Sequence, residues 1–244
     1  MDLLFREDAY RTSCEAKLIS VTDSGGLLFD RTVAYGTSGG QPGDTGTITR
    51  ADGTVIRIAS TVTGETKDEI VHMPEEGASL PQIGETVSLS IDWPRRLNLM
   101  KMHTACHILS VVCPFPITGA AVNEDDSRVD FDVPDPTYTR EFVTAEMMKI
   151  INANHPVSIR WIDEAELDAN PSIIRSKNVR PPRGLGRIRL VLIGDKGVVD
   201  SQPCGGTHVA STGEIGPLHI SKIEKKGKEN RRFRIRFGAM PETP

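Results

Sequence analysis

The sequence has few aromatic residues, few cysteines and no long apolar run, and the last two absences exclude a disulfide scaffold and a membrane-spanning segment. Aromatic residues make up 5% of the 244 residues, and the four cysteines, Cys14, Cys106, Cys113 and Cys204, lack the spacing of a disulfide framework. No apolar run approaches the length of a membrane span, and the amino terminus lacks a basic start followed by an apolar signal core. We therefore expect a globular cytoplasmic protein.

Several short enzyme motifs are also missing. There is no HExxH sequence, so the zinc-peptidase arrangement with its adjacent glutamate base is not supported. The segment of residues 36–46, GTSGGQPGDTG, matches neither a Walker loop nor a dinucleotide-binding fingerprint. Its five glycines and one proline predict an irregular loop with accessible backbone amides.

Two short pairs of metal-ligand residues stand out against these absences. His103 and His107 lie in HTACH, inside a stretch beginning at Pro94 whose apolar periodicity predicts a helix. Their spacing of four residues puts both imidazoles on one helical face. Cys204 and His208 lie in CGGTH, where the glycines favour a tight loop. Imidazole and thiolate suit zinc, so the sequence predicts a zinc site that joins two distant segments.

The number of candidate ligands leaves the role of the metal open. A catalytic zinc ion normally has three protein ligands and an open position, whereas four protein ligands are typical of a structural site. Our hypothesis is that His103, His107 and Cys204 hold the metal firmly. His208, which follows a flexible Gly-Gly pair, is then weakly bound, displaced or outside the coordination shell. Zinc would either activate water or position the substrate.

Basic residues cluster in a chain whose net charge is −4. Residues 175–189 contain six basic residues and no acid, and residues 222–236 contain eight basic residues and two acids. This asymmetry indicates an anionic partner such as nucleic acid, with a solvated charged face as the alternative. The residues predicted to contact phosphates are Arg175, Lys177, Arg180, Arg183, Lys225, Lys226, Arg231 and Arg232.

The sequence pattern changes near residue 93. Residues 1–93 read as short strands and turns, which predicts a small β-barrel or sandwich domain carrying the glycine-rich loop. Residues 94–244 mix helical and strand patterns, which predicts a zinc-binding α+β domain. The two ligand pairs bracket most of this second domain.

The combination of motifs resembles one known family. HTACH with its preceding IDWPRRLNLMKMH, SRVDF at residues 127–131, CGGTH and SGGQPGDTG are similar to the editing domain of alanyl-tRNA synthetase and its free-standing AlaX-type relatives. The resemblance runs from about residue 35 to residue 236. It implies a small amino-terminal β-barrel followed by an α+β editing core, which is shared with one class of threonyl-tRNA synthetase.

The resemblance also implies a reaction, namely hydrolysis of the ester that joins a wrong amino acid, typically serine or glycine, to alanine tRNA. An ATP-dependent activation domain would not fit beside an editing core in 244 residues, so the protein is expected to act in trans. Serine differs from alanine by one hydroxyl, which an activation pocket rejects poorly, so a second hydrolytic site is needed.

Candidates for catalysis and for contact with that hydroxyl come from the same motifs. Asp44, Gln41 and Thr37 in the glycine-rich loop are the predicted catalytic residues. Other hydroxyl groups considered for substrate contact belong to Ser38, Thr45, Thr104 and Thr207, and Asp130 is a second possible general base. Turn, capping and structural hydrogen bonds are the alternative for each of them.

Two other functions compete with editing at this point. One is a nonenzymatic tRNA-binding module whose zinc is structural, and the other is a zinc hydrolase of another small ester or amide. The second rival would not need a basic tRNA surface.

Overall fold

The chain forms two compact units, Met1–Leu97 and Asn98–Pro244. The structure, a computed structural model, describes residues 1–66, 68–133, 138–178 and 186–241. Arg180 and Arg183, both predicted to contact tRNA, lie outside the described residues. That the units correspond to separate domains, 1–93 and 94–244, stays a prediction.

The first unit is built around a closed β-barrel of six strands in the order β2-β3-β7-β6-β5-β8. The strands of this unit, six in the barrel and two outside it, are β1 Asp2–Leu3, β2 Ser13–Val21, β3 Leu27–Phe29, β4 Arg31–Thr32, β5 Gly46–Thr49, β6 Val55–Thr63, β7 Ile70–Pro74 and β8 Thr86–Ile91. Strands β1 and β4 pair in parallel and form a separate two-stranded sheet. The predicted amino-terminal barrel is therefore confirmed.

Alternation of side chains explains why these segments close into a barrel. In β8 every second residue is buried, and Val87, Leu89 and Ile91 join the apolar core. The hairpin between β5 and β6 turns at residues 51–53, as its Ala-Asp-Gly sequence predicts. Gly53 has a φ of +85° there, which a residue without Cβ adopts at little cost.

The second unit combines helices with two antiparallel sheets, which confirms the α+β class. Its helices are α1 Trp93–Val112, whose first residues belong to the first unit, α2 Arg140–Asn152 and α3 Glu164–Ala169. One sheet has the order β14-β15-β10-β9 and the other the order β11-β12-β13. These strands are β9 Ile117–Ala121, β10 Asp126–Asp132, β11 Val157–Ile162, β12 Ile188–Ile193, β13 Asp200–Pro203, β14 Leu218–Lys225 and β15 Asn230–Phe237.

The helix α1 is buried along most of its second half. Leu99, Met102, Ala105, Ile108 and Leu109 have no exposed surface, so the helix is a central element with side chains packed all round. Helix α2 begins at Arg140, because Thr139 caps it by accepting the amide of Phe142, and it buries Val143, Met147 and Ile151.

Candidate metal centre

Helix α1 presents the first two ligands from adjacent turns. His103 and His107 are 7% and 6% exposed, and their ring centroids are 5.3 Å apart. This is the spacing that a helix gives to side chains four residues apart. Because the surrounding turns are packed with apolar side chains, the two imidazoles are largely shielded from solvent.

The loop after β13 presents the other two ligands. The Cys204 amide donates to the carbonyl of Arg189 on β12 (3.1 Å). The buried Arg189 guanidinium returns two bonds, to the carbonyl oxygens of Cys204 (2.7 Å) and Gly206 (2.9 Å). These contacts fix the backbone of the loop, so Arg189, which the sequence grouped with the basic stretch, supports the ligand loop.

The four candidate ligands converge on one point. One ligand atom from each of His103, His107, Cys204 and His208 lies within 4.8 Å of the other three. Cys204 Sγ is 3.5 Å from His103 Nε2 and 3.4 Å from His208 Nε2. With bond lengths of about 2.0–2.3 Å, a tetrahedral zinc ion keeps its ligand atoms roughly 3.3–3.8 Å apart. The donor set and these two sulfur–nitrogen distances therefore fit a metal ion.

His208 is as close to the cluster as the other ligands. Its ring centroid is 4.4 Å from that of His103 and 4.5 Å from that of His107, and its side chain is buried. We expected His208 to be held more weakly because it follows a Gly-Gly pair, but these distances place its ring as near to the other imidazoles as they are to each other.

The electrostatics at two of the four residues, Cys204 and His208, favour the protonation states that metal binding requires. Burial raises the pKa of the Cys204 thiol, but the neighbouring His103 and His208 outweigh burial and bring that pKa well below its usual value. Burial and the adjacent His103 and His107 lower the pKa of His208. A thiolate and a neutral imidazole are the forms that ligate zinc.

The Asp200 carboxylate lies beside His107. Its Oδ2 lies 3.3 Å from His107 Nδ1, which leaves Nε2 of that ring for the metal. Arg175 donates a hydrogen bond to Asp200 Oδ1 (2.8 Å), and Gln202 donates one to Oδ2 (2.6 Å). The contact of His107 Nδ1 with the same carboxylate lacks the geometry of a hydrogen bond. Burial lowers the pKa of His107, but the nearby Asp200 carboxylate and Cys204 sulfur outweigh burial and raise the pKa to about 9.

The sequence reasoning did not identify Asp200, although a signal was present. Asp200, Gln202 and Cys204 are spaced by two residues, so an extended strand presents all three on one face. The period of two along β13 therefore places the carboxylate of Asp200 on the same face as the predicted ligand Cys204.

The predicted catalytic residues of the glycine-rich loop belong to the first unit. Asp44 is 1% exposed and forms an ion pair with the fully buried Arg96, while the amide of Tyr35 donates to its carboxylate (2.6 Å). Arg96 also donates to the carbonyls of Ala9 (3.0 Å) and Val33 (2.8 Å). These contacts give Asp44 a structural role in the first unit, and its catalytic role stays a prediction.

The other loop candidates differ in accessibility. The Gln41 side chain is fully buried, whereas Thr37 is exposed and accepts the amide of Gly43 (2.8 Å) while donating to the carbonyl of Thr61 (3.2 Å). Asp130, the second possible base, is held by Arg128 (2.6 Å) and Arg232 (2.8 Å). Burial raises the pKa of Asp130, but the two guanidinium groups keep it below its usual value.

Most of the described residues predicted to bind tRNA have partners within the protein. Arg175 binds Asp200, Lys177 binds Asp132 (2.5 Å) and Arg232 binds Asp130. Arg231 is 8% exposed and donates to the carbonyls of Gly227 (3.1 Å) and Asn230 (3.0 Å). Lys225 and Lys226, at the end of β14, are exposed.

Sequence comparisons identify the class of protein to which this fold and site belong. Residues 188–234 match the family model described as the threonyl and alanyl tRNA synthetase second additional domain, and residues 9–95 match that of the class II (A) tRNA synthetases. The chain is 35% identical to the alanyl-tRNA editing protein AlaX-M of Methanosarcina mazei over 242 residues, 95% of this chain and 94% of that protein. It therefore belongs to the alanyl-tRNA editing protein family.

Two longer relatives contain the same region. The alanyl-tRNA editing protein AlaX-L of Pyrococcus horikoshii is 34% identical over 97% of this chain and 57% of its own length. The alanine–tRNA ligase of Pyrobaculum aerophilum is 36% identical over 91% of this chain and 25% of its own length. Within the described residues, no helix combines the length and the apolar character needed to cross a membrane.

Proposed function

We propose that the chain is an aminoacyl-tRNA deacylase that acts in trans on alanine tRNA carrying serine or glycine, with zinc as its metal. The observation that carries the proposal is the buried cluster of three imidazoles and one thiolate, with ligand atoms within 4.8 Å of one another, in a member of the alanyl-tRNA editing family. The names of the relatives support alanyl-tRNA as the substrate class.

The reaction is the hydrolysis of one ester bond. Water attacks the carbonyl carbon of the aminoacyl group, the bond to the ribose oxygen of the tRNA breaks, and that oxygen leaves with a proton. When bound by His103, His107, Cys204 and His208, zinc would supply a positive charge that polarises an oxygen or fixes the substrate. The chain contributes a largely buried set of ligands, a thiolate that balances the metal charge, and the Asp200 carboxylate beside His107 Nδ1.

Discrimination is expected to depend on the serine hydroxyl. A site that hydrogen-bonds this group would leave buried polar atoms unpaired when alanine is bound, which costs about 1–3 kcal/mol per group. Thr37 and Gln41 stay our candidates for this contact, on the strength of the family resemblance of the glycine-rich loop.

A deacylation assay tests the proposal. The purified chain with zinc is mixed with alanine tRNA charged with serine, glycine or alanine, and release of the amino acid is followed. We expect rapid release of serine or glycine, slow release of alanine, and a loss of about 100-fold or more in Cys204→Ala because the metal is no longer held. Cys14→Ala is the matched control, since it removes a buried thiol from the barrel.

The outcomes separate the rival functions. If the wild type releases serine no faster than a folded Cys204→Ala variant, the editing function is rejected. Binding of the tRNA without release would instead indicate a tRNA-binding module with structural zinc. Hydrolysis of small esters with no effect on charged tRNA would indicate a different hydrolase. Elemental analysis of the wild type and of Cys204→Ala identifies the metal independently of activity.

A further inference from the structure

Thr104 lies on α1 between the two histidine ligands, and its hydroxyl contacts the fourth ligand. The side chain has no exposed surface, and Oγ1 is 3.1 Å from His208 Nδ1. The same oxygen is 2.9 Å from the carbonyl of Met100 and 3.3 Å from the amide of Val209. Three bonds therefore meet at one hydroxyl group.

The chemistry of these partners fixes the direction of each bond. A threonine hydroxyl has one hydrogen and two acceptor positions. The carbonyl of Met100 can only accept, so it takes the hydroxyl hydrogen. The amide of Val209 can only donate, so it occupies one acceptor position. The remaining position must accept a hydrogen from His208, which places a proton on Nδ1 of that ring.

The proton on Nδ1 determines which nitrogen binds the metal. A neutral imidazole carries one N–H and one lone pair. With Nδ1 protonated, the lone pair is on Nε2, the atom that lies 3.4 Å from Cys204 Sγ within the cluster. Since the Thr104 hydroxyl is already fully used, it has no capacity for a substrate hydroxyl, the role considered for it from the sequence.

We propose that Thr104 is a positioning residue that holds His208 in the tautomer and orientation required to ligate the metal. The inference rests on the proposed metal site. It explains how a ligand that follows two flexible glycines reaches the cluster as closely as the two ligands on the helix.

Zinc affinity measured by competition with a chromophoric chelator tests this role. Thr104→Val keeps the shape of the side chain and removes the hydroxyl, so we expect zinc binding weaker by about 10–100-fold, the usual effect of losing such a partner. Thr104→Ser restores the hydroxyl and is expected to bind zinc nearly as well as the wild type. Thr144→Val is the matched control, because the Thr144 hydroxyl accepts the amide of Ile220 (2.9 Å) elsewhere in the same unit.

A purely structural role predicts a different pattern. Thr104→Val and Thr144→Val would then both lower the melting temperature, and neither would change the zinc affinity. Equal affinity in the wild type and Thr104→Val, or equal impairment of the Ser and Val variants, overturns the proposal. Failure of the wild type itself to bind zinc would instead reject the metal in the proposed function.

A measurement on the wild type keeps the inference testable if Thr104→Val does not fold. In the zinc-bound protein with ¹⁵N-labelled histidine, the His208 resonances, assigned by their loss in His208→Asn, should show a hydrogen on Nδ1 and a metal-bound Nε2. A hydrogen on Nε2, with metal on Nδ1, contradicts the proposal without reference to activity.

Discussion

Single buried polar residues in the barrel are each held by specific partners. His72 has no exposed surface, and its ring nitrogens contact Thr32 Oγ1 (2.8 Å) and the carbonyl of Leu27 (3.2 Å). The carbonyl accepts a hydrogen from Nδ1, so Nε2 accepts the hydroxyl hydrogen of Thr32. The bond at Nε2 needs a neutral imidazole, and burial lowers the pKa of His72 to about 4 although the bond to the Leu27 carbonyl opposes this shift.

This arrangement predicts a loss of stability in mild acid. The folded-state pKa of His72 is about 4, below the ordinary value of 6.5, so the unfolded chain takes up a proton first as the pH falls. The stabilising contribution is complete above pH 6.5 and is lost as the pH falls from about 6.5 to about 4. We expect this group alone to lower the free energy of unfolding by about 2 kcal/mol between pH 7 and pH 5.

Urea unfolding of the wild type and His72→Gln at both pH values measures the effect. The variant is expected to be less stable at pH 7 but to lose about 2 kcal/mol less than the wild type on going to pH 5. An equal loss in the two proteins would show that His72 does not titrate in this way.

The grouping of the four candidate ligands was predictable from sequence in part, because short spacing within one element determines the geometry of each pair. His103 and His107 share a helical face, and Cys204 and His208 share a short glycine-containing loop. The partners of those ligands were not predictable, because they depend on which distant segments meet. Thr104 approaches His208 only because α1 packs beside a loop about a hundred residues later.

The strand β15 shows in the same way that sequence predicts an element but not its partners from distant segments. Its alternation of apolar and basic residues predicts a strand with one buried and one basic face. The structure pairs that basic face with acids of the neighbouring strands, namely Asp126 and Asp130 on β10 and Glu224 on β14. Pairing with β10 joins residues about a hundred positions apart. The periodicity of the sequence therefore predicts the strand, whereas the partners of its arginine side chains depend on which strands lie beside it.

Two glycines of the glycine-rich loop, Gly43 and Gly39, meet different structural requirements. A Cβ on Gly43 would collide with the backbone carbonyl of Thr61, which cannot move as a flexible side chain can. Gly39 has a φ of +56° but open space around the position of a Cβ. The loop therefore needs close backbone approach at one position and a left-handed conformation at the other.

These two positions make a matched pair of substitutions. Gly43→Ala is expected to lower the free energy of unfolding by about 1–3 kcal/mol, as overpacking against a fixed neighbour does. Gly39→Asn should change it by less than about 1 kcal/mol, because asparagine tolerates the left-handed region. Thermal unfolding of both variants checks the difference. If Gly43→Ala is no less stable than Gly39→Asn, the loop lacks the close approach to Thr61.

Across the molecule, ion pairs within the chain reduce the number of basic residues that remain available to bind an anionic partner. The sequence concentrates positive charge in two segments of a protein whose net charge is −4. Arg175, Lys177 and Arg232 bind carboxylates within the second unit, and so do Arg234 and Arg236. A guanidinium that neutralises a neighbouring carboxylate contributes little net charge to an anionic partner. The exposed Lys225 and Lys226 are therefore the better candidates for phosphate contact.

The salt dependence of tRNA binding tests this assignment. Each phosphate contact adds about 0.9 to the slope of log K against log salt for a duplex. The double variant Lys225→Gln/Lys226→Gln is therefore expected to bind uncharged alanine tRNA more weakly and to lower the slope by up to about 2. Lys149→Gln is the matched control, since it removes an exposed lysine of α2 that pairs with Glu146 (2.6 Å). If the double variant keeps the slope of the wild type, Lys225 and Lys226 belong to a solvated face, and the phosphate contacts must be sought elsewhere in the chain.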